Sequence, residues 1–148
     1  MTITYATTLA KHDVTIPDHL IADAEVPALT GPQRQGDVGI FPRARAGKAE
    51  LADAITLEVG GKGLAVVAGE SSTGGNAHIL DAYEGPIFWM PATKVADTSV
   101  TLGVVHVPKG SVAVVTHTDE HGSNAIAAGT YIIHGKREQA DLIRRVAD

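Results

Sequence analysis

Three histidines in polar turns at the ends of apolar runs could together bind a metal ion. His78 follows a glycine-rich turn, and His117 and His121 lie four residues apart in the segment HTDEH. Three neutral imidazoles meeting at one point would suit zinc, with water or Glu120 in the fourth position. Glu120 or Glu70 could then act as a base or orient a ligand. The sequence therefore offers His78, His117 and His121 as candidate metal ligands.

The same histidines also fit a plainer interpretation, in which they only hydrogen-bond a polar turn. The segment HTDEH lacks the Glu that follows the first His of zincins, and the chain has no His-x-His pair of the cupin kind. Serines near the histidines lack the context of a nucleophile elbow. No spacing among the glutamates selects a pair for glycoside hydrolysis. No catalytic residue is assigned, and the sequence favours a protein that is not an enzyme.

The composition argues against several classes of binding partner. A chain of 148 residues is expected to form one domain, and its net charge of −5 without long basic runs argues against nucleic acid. The absence of cysteine excludes disulfides and thiolate ligands. No apolar window approaches the length of a membrane span, and the first residues do not resemble a signal peptide. We therefore expect a cytoplasmic protein without a membrane partner.

Short apolar runs separated by glycine and proline turns predict an all-β fold. Several of these runs alternate apolar and polar residues, which is typical of half-buried strands. With about ten residues from one run to the next, we expect an antiparallel barrel or sandwich. The main runs are Val38–Phe41, Ile55–Val59, 64–68, 100–106, Val112–Val115 and Thr130–Ile133.

Turn residues between these runs predict how the strands pair. The segments 60–63 (GGKG) and 109–110 (KG) each predict a hairpin between the runs on either side. The polar stretch between Val112–Val115 and Thr130–Ile133 predicts a further hairpin. The tip of that hairpin would carry His117 and His121.

Both ends of the chain are predicted to differ from the β-domain, which we place at residues 34–148. Residues 1–33 contain three prolines and little periodicity, which predicts an extended amino-terminal arm. The arm is either a surface tail or a segment that becomes ordered against a neighbouring subunit. At the other end, Leu142, Ile143 and Val146 form one apolar stripe, which predicts a helix over about 138–146.

Short motifs in this chain resemble those of a family of small proteins found in bacteria and their phages, for which no function is established. The motifs are R-Q-G-D at 34–37, G-E-x-x-T-G-x-x-x-H at 69–78, T-H-x-x-E-H at 116–121, G-T-Y at 129–131, R-E at 137–138 and the terminal R-R-V-A-D. The resemblance covers about residues 34–148 and implies no reaction. The family pattern often has a histidine two residues before His78, where this chain has Asn76.

Three functions fit the sequence. We favour a non-catalytic structural or assembly protein, such as a capsid-decorating or other virion subunit, which would form a homo-oligomer or join a larger assembly. This choice depends on the few aromatic residues, the extended arm and the absence of a catalytic motif. The first alternative is a metal-binding module or enzyme with zinc as its cofactor. The second is a β-barrel that binds a small ligand at a mouth formed by 69–78 and 116–124.

Overall fold

The protein is built mainly of β-strands in the computed structural model, which describes residues 3–10, 25–67, 77–92, 100–118 and 122–135. Two short helices lie in these ranges, α1 (Tyr5–Ala10) and α2 (Lys48–Ala52). The strands are β1 (Ala28–Leu29), β2 (Gln33–Gln35), β3 (Val38–Pro42), β4 (Ile55–Leu57), β5 (Leu64–Val67), β6 (His78–Glu84), β7 (Ile87–Pro91), β8 (Thr101–Val107), β9 (Val112–His117), β10 (Ser123–Ile126) and β11 (Gly129–His134).

These strands form two sheets that pack face to face. One sheet has the order β1-β10-β9-β6-β5 and the other β2-β3-β11-β8-β7-β4, and all neighbours are antiparallel except β1 and β10. The main core lies between the sheets, with Leu80 and Val115 on one side and Ile40, Val105 and Ile133 on the other. The predicted all-β fold is confirmed as sandwich-like. The alternative of a barrel is wrong, because the two sheets do not close on each other.

Strand β9 shows how the sequence determines which side chains face the core. Successive side chains of a strand point to opposite faces. Ala113 and Val115 accordingly face the core between the sheets, whereas Val112 and Val114 face the outer side of the five-stranded sheet. The two-residue period continues to the end of the strand and places His117 on the core side. A histidine at the last position of β9 therefore points into the sandwich.

The predicted hairpins are wrong, because the turns connect strands of different sheets. The turn at 60–63 leads from β4 in the six-stranded sheet to β5 in the five-stranded sheet. The turn at 109–110 likewise leads from β8 to β9, and β9 and β11 also belong to different sheets. The partner of β9 along the chain is β10, with Ser123 opposite Thr116. A glycine turn reverses the chain equally well within one sheet or between two stacked sheets.

Strand β4 is more exposed than its alternating sequence predicts. It is the last strand of its sheet and pairs only with β7 among the described residues. Ile55 is 43% exposed, and Val59, which follows the strand, is 54% exposed. These two apolar residues lie at the open edge of the six-stranded sheet.

Part of the predicted arm lies against the outer side of the five-stranded sheet. Ile3 and Val26 are buried there with Val114 and Ala125, and Leu9 of α1 is fully buried. Residues 11–24 of the arm and the predicted helix at 138–146 lie outside the described residues. No helix within the described ranges is long and apolar enough to cross a membrane.

Gly103 in β8 generates a prediction about packing in the core. A Cβ atom at this position would lie 2.6 Å from the carbonyl oxygen of Met90 and would overlap the ring of Trp89. We expect Gly103→Ala to lower the free energy of unfolding by about 1–3 kcal/mol, because neither the backbone nor the buried ring can move away without disturbing the core. Gly31→Ala is the control, since nothing lies within 4 Å of its added Cβ. Equal urea-unfolding midpoints for the two variants would contradict the packing of Trp89 against β8.

Candidate functional site

His78 and His117 lie side by side between the two sheets. His78 is the first residue of β6 and His117 the last of β9, and the two are direct partners in the register of these strands. Both side chains face the core, and the residues are only 4% and 3% exposed. The rings stack with centroids 4.2 Å apart and an angle of 19° between their planes. Two of the three predicted metal ligands are therefore in contact.

Gln35 of the opposite sheet forms hydrogen bonds with His78 and with the strands beside the histidine pair. The Gln35 Oε1 atom lies 2.8 Å from Nδ1 of His78, within hydrogen-bond distance. The Gln35 Nε2 atom donates to the carbonyl oxygens of Val115 at 2.8 Å and Gly122 at 3.3 Å, and to Asn124 Oδ1 at 2.9 Å. Gln35 itself is 2% exposed. One buried amide thus joins β2 to β6, β9 and the start of β10.

The position of Gln35 follows from the turn after it. Gly36 and Asp37 form a two-residue loop between β2 and β3, with Gln35 opposite Val38. Gly36 has a φ of 57°, which the tight hairpin loops of antiparallel sheets favour and which glycine adopts without strain. Because Val38 faces the core, its partner Gln35 faces the core as well.

The hydrogen bonds fix the direction of every amide in this cluster. Two of the acceptors of Gln35 Nε2 are backbone carbonyls, which can only accept, so the Gln35 Oε1 atom must be the one that meets His78. Asn124 Nδ2 in turn donates to Gln33 Oε1 at 3.1 Å, and Gln33 Nε2 donates to the carbonyl of Ala125 at 2.8 Å. An oxygen only accepts, so His78 carries a proton on Nδ1 and donates it to Gln35. In a neutral ring the lone pair then lies on Nε2 of His78.

The third predicted ligand, His121, lies outside the described residues, as do Glu70 and Glu120. The described residues by themselves contain no group of three His, Cys, Asp or Glu side chains that could hold a metal ion. Gly122, the residue that follows His121, contacts the cluster of His117 and Gln35, however. The carbonyl of Gly122 accepts a hydrogen bond from the backbone N–H of His117 at 2.9 Å and another from Gln35.

The sequence did not point to Gln33, Gln35 and Asn124. Gln35 orients His78, and the other two amides are hydrogen-bonded to each other and, through Asn124, to Gln35. The sequence pattern that could have indicated them is the spacing of Gln33 and Gln35, which lie two residues apart just before the Gly36–Asp37 turn. In the hairpin they lie opposite Ile40 and Val38, which are core residues. Two glutamines on the core-facing side of a strand indicate a hydrogen-bonding role. The strand β2 is too short for this alternation to be recognised from sequence.

The other described histidines lie on the outer side of the six-stranded sheet. His134 packs against the ring of Phe41 with centroids 5.4 Å apart, and burial lowers its pKa. The pKa of His106 is lowered by burial and, secondly, by the positive charge of Arg45. His106 and His134 therefore lie on the other side of the six-stranded sheet from the pair of His78 and His117.

Comparison with known proteins gives one match. A family model described as a domain of unknown function, DUF8820, matches residues 34–136. No curated protein and no solved structure matches the chain. The matched range begins at the R-Q-G-D segment that places Gln35, and it contains His78, His117 and His121.

Replacing Gln35 should destabilise the protein more than replacing its neighbour Gln33. Gln35→Leu leaves the Nδ1–H of His78 without its acceptor and Asn124 Oδ1 without its donor inside the sandwich. A buried polar group that loses its partner costs about 1–3 kcal/mol, so we expect a loss of at least about 2 kcal/mol in the free energy of unfolding. Gln33 is half-buried, so water can replace its partners in Gln33→Leu. Chemical denaturation that ranks Gln33→Leu as the more damaging change would contradict the central role of Gln35.

Proposed function

Since the chain belongs to the DUF8820 family, whose description assigns no activity, its function has to be argued from the site, and we propose that the protein binds a transition-metal ion. The ligands would be His78, His117 and His121, and the metal would be of the zinc type. Binding rather than catalysis is the proposed role. The orientation of His78 by Gln35 is the observation that carries the proposal.

A histidine that binds a metal usually donates its other ring N–H to a fixed acceptor, which sets the tautomer and the direction of the ring. Gln35 Oε1 is such an acceptor for His78 Nδ1, and the Gln35 amide is itself held by three further oxygen atoms. The ring is therefore held with Nε2 as its lone-pair atom before any ion arrives.

His117 supports the same site through its distance from His78. Ring centroids 4.2 Å apart place both rings within reach of one ion, since a Zn–N bond is about 2.0–2.1 Å. Because the stacked ring planes are only 19° apart, their lone pairs run side by side, and the His117 ring would turn out of the stack to bind the same ion as His78. His121 is bonded to Gly122, and consecutive Cα atoms are about 3.8 Å apart. Because the carbonyl of Gly122 is held by both His117 and Gln35, the backbone next to His121 is fixed beside the pair. This connectivity makes His121 our choice of third ligand.

Repulsion disfavours the doubly protonated form of the pair, and a protonated ring nitrogen cannot bind metal. Two protonated imidazoles about 4 Å apart would repel each other by about 4 kcal/mol at an effective dielectric constant of 20. Burial adds to the cost of a second charge, because both residues are almost completely removed from water. A divalent cation bound to the ring nitrogens would instead be attracted by their lone pairs.

The proposal predicts that His117→Ala and His121→Ala each abolish binding of zinc. We expect the wild-type protein to gain thermal stability on addition of zinc, because an ion that binds only the folded state shifts the unfolding equilibrium. Calorimetric titration with zinc should show one site per chain, and the affinity should fall below about pH 6.5, where imidazole takes up a proton.

His106→Ala is the matched control for this titration, because His106 lies on the outer side of the six-stranded sheet and binds Thr130. His12→Ala and His19→Ala are further controls, because they change histidines outside the proposed ligand set. All three variants should bind zinc as the wild type does. Wild-type protein that takes up neither zinc, nickel nor manganese would leave the histidines with a purely hydrogen-bonding role.

A second candidate function is assembly, and the open edge of β4 favours it. Ile55 and Val59 expose apolar side chains at the edge of the six-stranded sheet, and a free strand edge can pair with another chain. The second function is therefore a homo-oligomer or a subunit of a larger assembly. Given the resemblance to phage and bacterial proteins, that assembly would be a virion or capsid surface. Those residues of 1–33 that are not buried against the five-stranded sheet would add contacts to a neighbour.

Assembly through β4 predicts that Ile55→Lys lowers the mass of the protein in solution. A lysine at a strand edge opposes pairing with a second strand because its charge would have to leave water. Light scattering after size exclusion should show an oligomer for the wild type and a smaller species for Ile55→Lys. Ala49→Lys, which adds the same charge to an exposed position of α2, should keep the wild-type mass. A monomeric wild type would rule out self-association through this edge.

A further inference from the structure

A basic cleft opens at the other end of β9 from the histidine pair. It has a volume of about 570 Å³ and lies where β3, the β8–β9 turn and the β10–β11 turn meet. Its lining includes Arg43, Arg45, His106, Lys109 and Thr130. Pockets that hold small molecules typically have volumes of about 300–1,000 Å³. The cleft is thus large enough for a small organic ligand.

The cleft concentrates positive charge in an acidic protein. The whole chain has a net charge of −5, yet three of its twelve Lys and Arg residues line this cleft, and no acidic residue is among the described residues lining it. Arg45 and Lys109 are exposed and make no ion pair within the described part of the chain. Such a concentration of charge costs stability unless an anion offsets it.

Arg43 is held in place at the side of the cleft. Its two terminal nitrogens each donate to a different carboxylate oxygen of Glu50 at 3.1 Å, and these hydrogen bonds hold the pKa of Glu50 below its usual value. A guanidinium has five N–H groups, so three remain for another acceptor. The backbone N–H of Arg43 also donates to the carbonyl of Thr130 at 2.9 Å. Arg43 is therefore positioned before a ligand binds.

His106 and Thr130 supply a further donor whichever tautomer is present. His106 Nδ1 and Thr130 Oγ1 are 2.9 Å apart. If Thr130 donates its proton to Nδ1, the neutral His106 ring carries its own proton on Nε2. If His106 donates from Nδ1, the hydroxyl proton of Thr130 is left to donate elsewhere. In both cases one N–H or O–H remains for a ligand.

We propose that this cleft binds the phosphate group of a small molecule, either the free ion or a phosphomonoester. A phosphate has several acceptor oxygens and two negative charges near neutral pH, which suits a guanidinium, an ammonium and a neutral donor arranged around one space. Arg45 and Lys109, which pair with no described acid, supply two positive charges, and Arg43 supplies directed N–H groups. The site is separate from the histidine pair, so its test does not depend on metal binding.

Titration of the amide NMR signals with inorganic phosphate and with phenyl phosphate tests this site, with sodium chloride keeping the ionic strength constant. We expect saturable shifts at residues 43–45, 106–110 and 128–130. Arg45→Gln and Lys109→Gln should each weaken binding about tenfold, because each removes one charge-assisted contact. Tighter binding of phenyl phosphate would identify an ester as the ligand, and equal binding would identify the ion. Both results support a phosphate site.

Arg34→Gln is the matched control for Arg45→Gln, because Arg34 is an exposed arginine of β2 next to Gln35, at the opposite end of the sandwich. It makes the same change in net charge and should leave the affinity within about twofold. An equal loss of affinity in Arg34→Gln would show that phosphate responds only to overall charge. That result, or shifts that do not saturate at the cleft, would overturn the proposal.

Discussion

The buried side-chain amide of Gln35 constrains the end of the sandwich where His78 and His117 lie. A polar side chain between two sheets must have its hydrogen bonds satisfied there, since water is excluded. Gln35 achieves this with two backbone carbonyls, Asn124 and His78. These partners come from strands far apart in sequence but adjacent in the fold. The amide therefore fixes the approach of β2 to β10, β9 and β6, and with it the direction of the His78 ring.

Strand β9 connects the two places where this protein offers chemistry. Its last residue, His117, faces the core beside His78, at the proposed metal site. Its first residues follow the turn that carries Lys109, at the proposed phosphate site. The sandwich separates the two by the length of a strand and buries one while exposing the other. Under the two proposals, the two ends of the sandwich would therefore bind ligands of opposite charge.

Alternation of apolar residues predicted the all-β fold, because each strand carries its own two-residue period. Which strands pair with each other could not be predicted from this alternation. The turns at 60–63 and 109–110 join strands of different sheets, and nothing local distinguishes such a connection from a hairpin. His78 and His117 were identified from residue type and loop position, and the structure brings them together. Gln35 was not identified, because its role depends on residues 43 to 89 positions away in the sequence.

The tautomer of His78 is the most direct test of the metal site, because Gln35 must impose it before any ion binds. Long-range ¹⁵N–¹H correlation spectra of the imidazole rings report which nitrogen carries the proton. For His78 at neutral pH without metal, we predict a proton on Nδ1 and a lone pair on Nε2, and loss of this preference in Gln35→Leu. A neutral His78 ring protonated on Nε2 would contradict the orientation by Gln35 and remove the basis for metal binding.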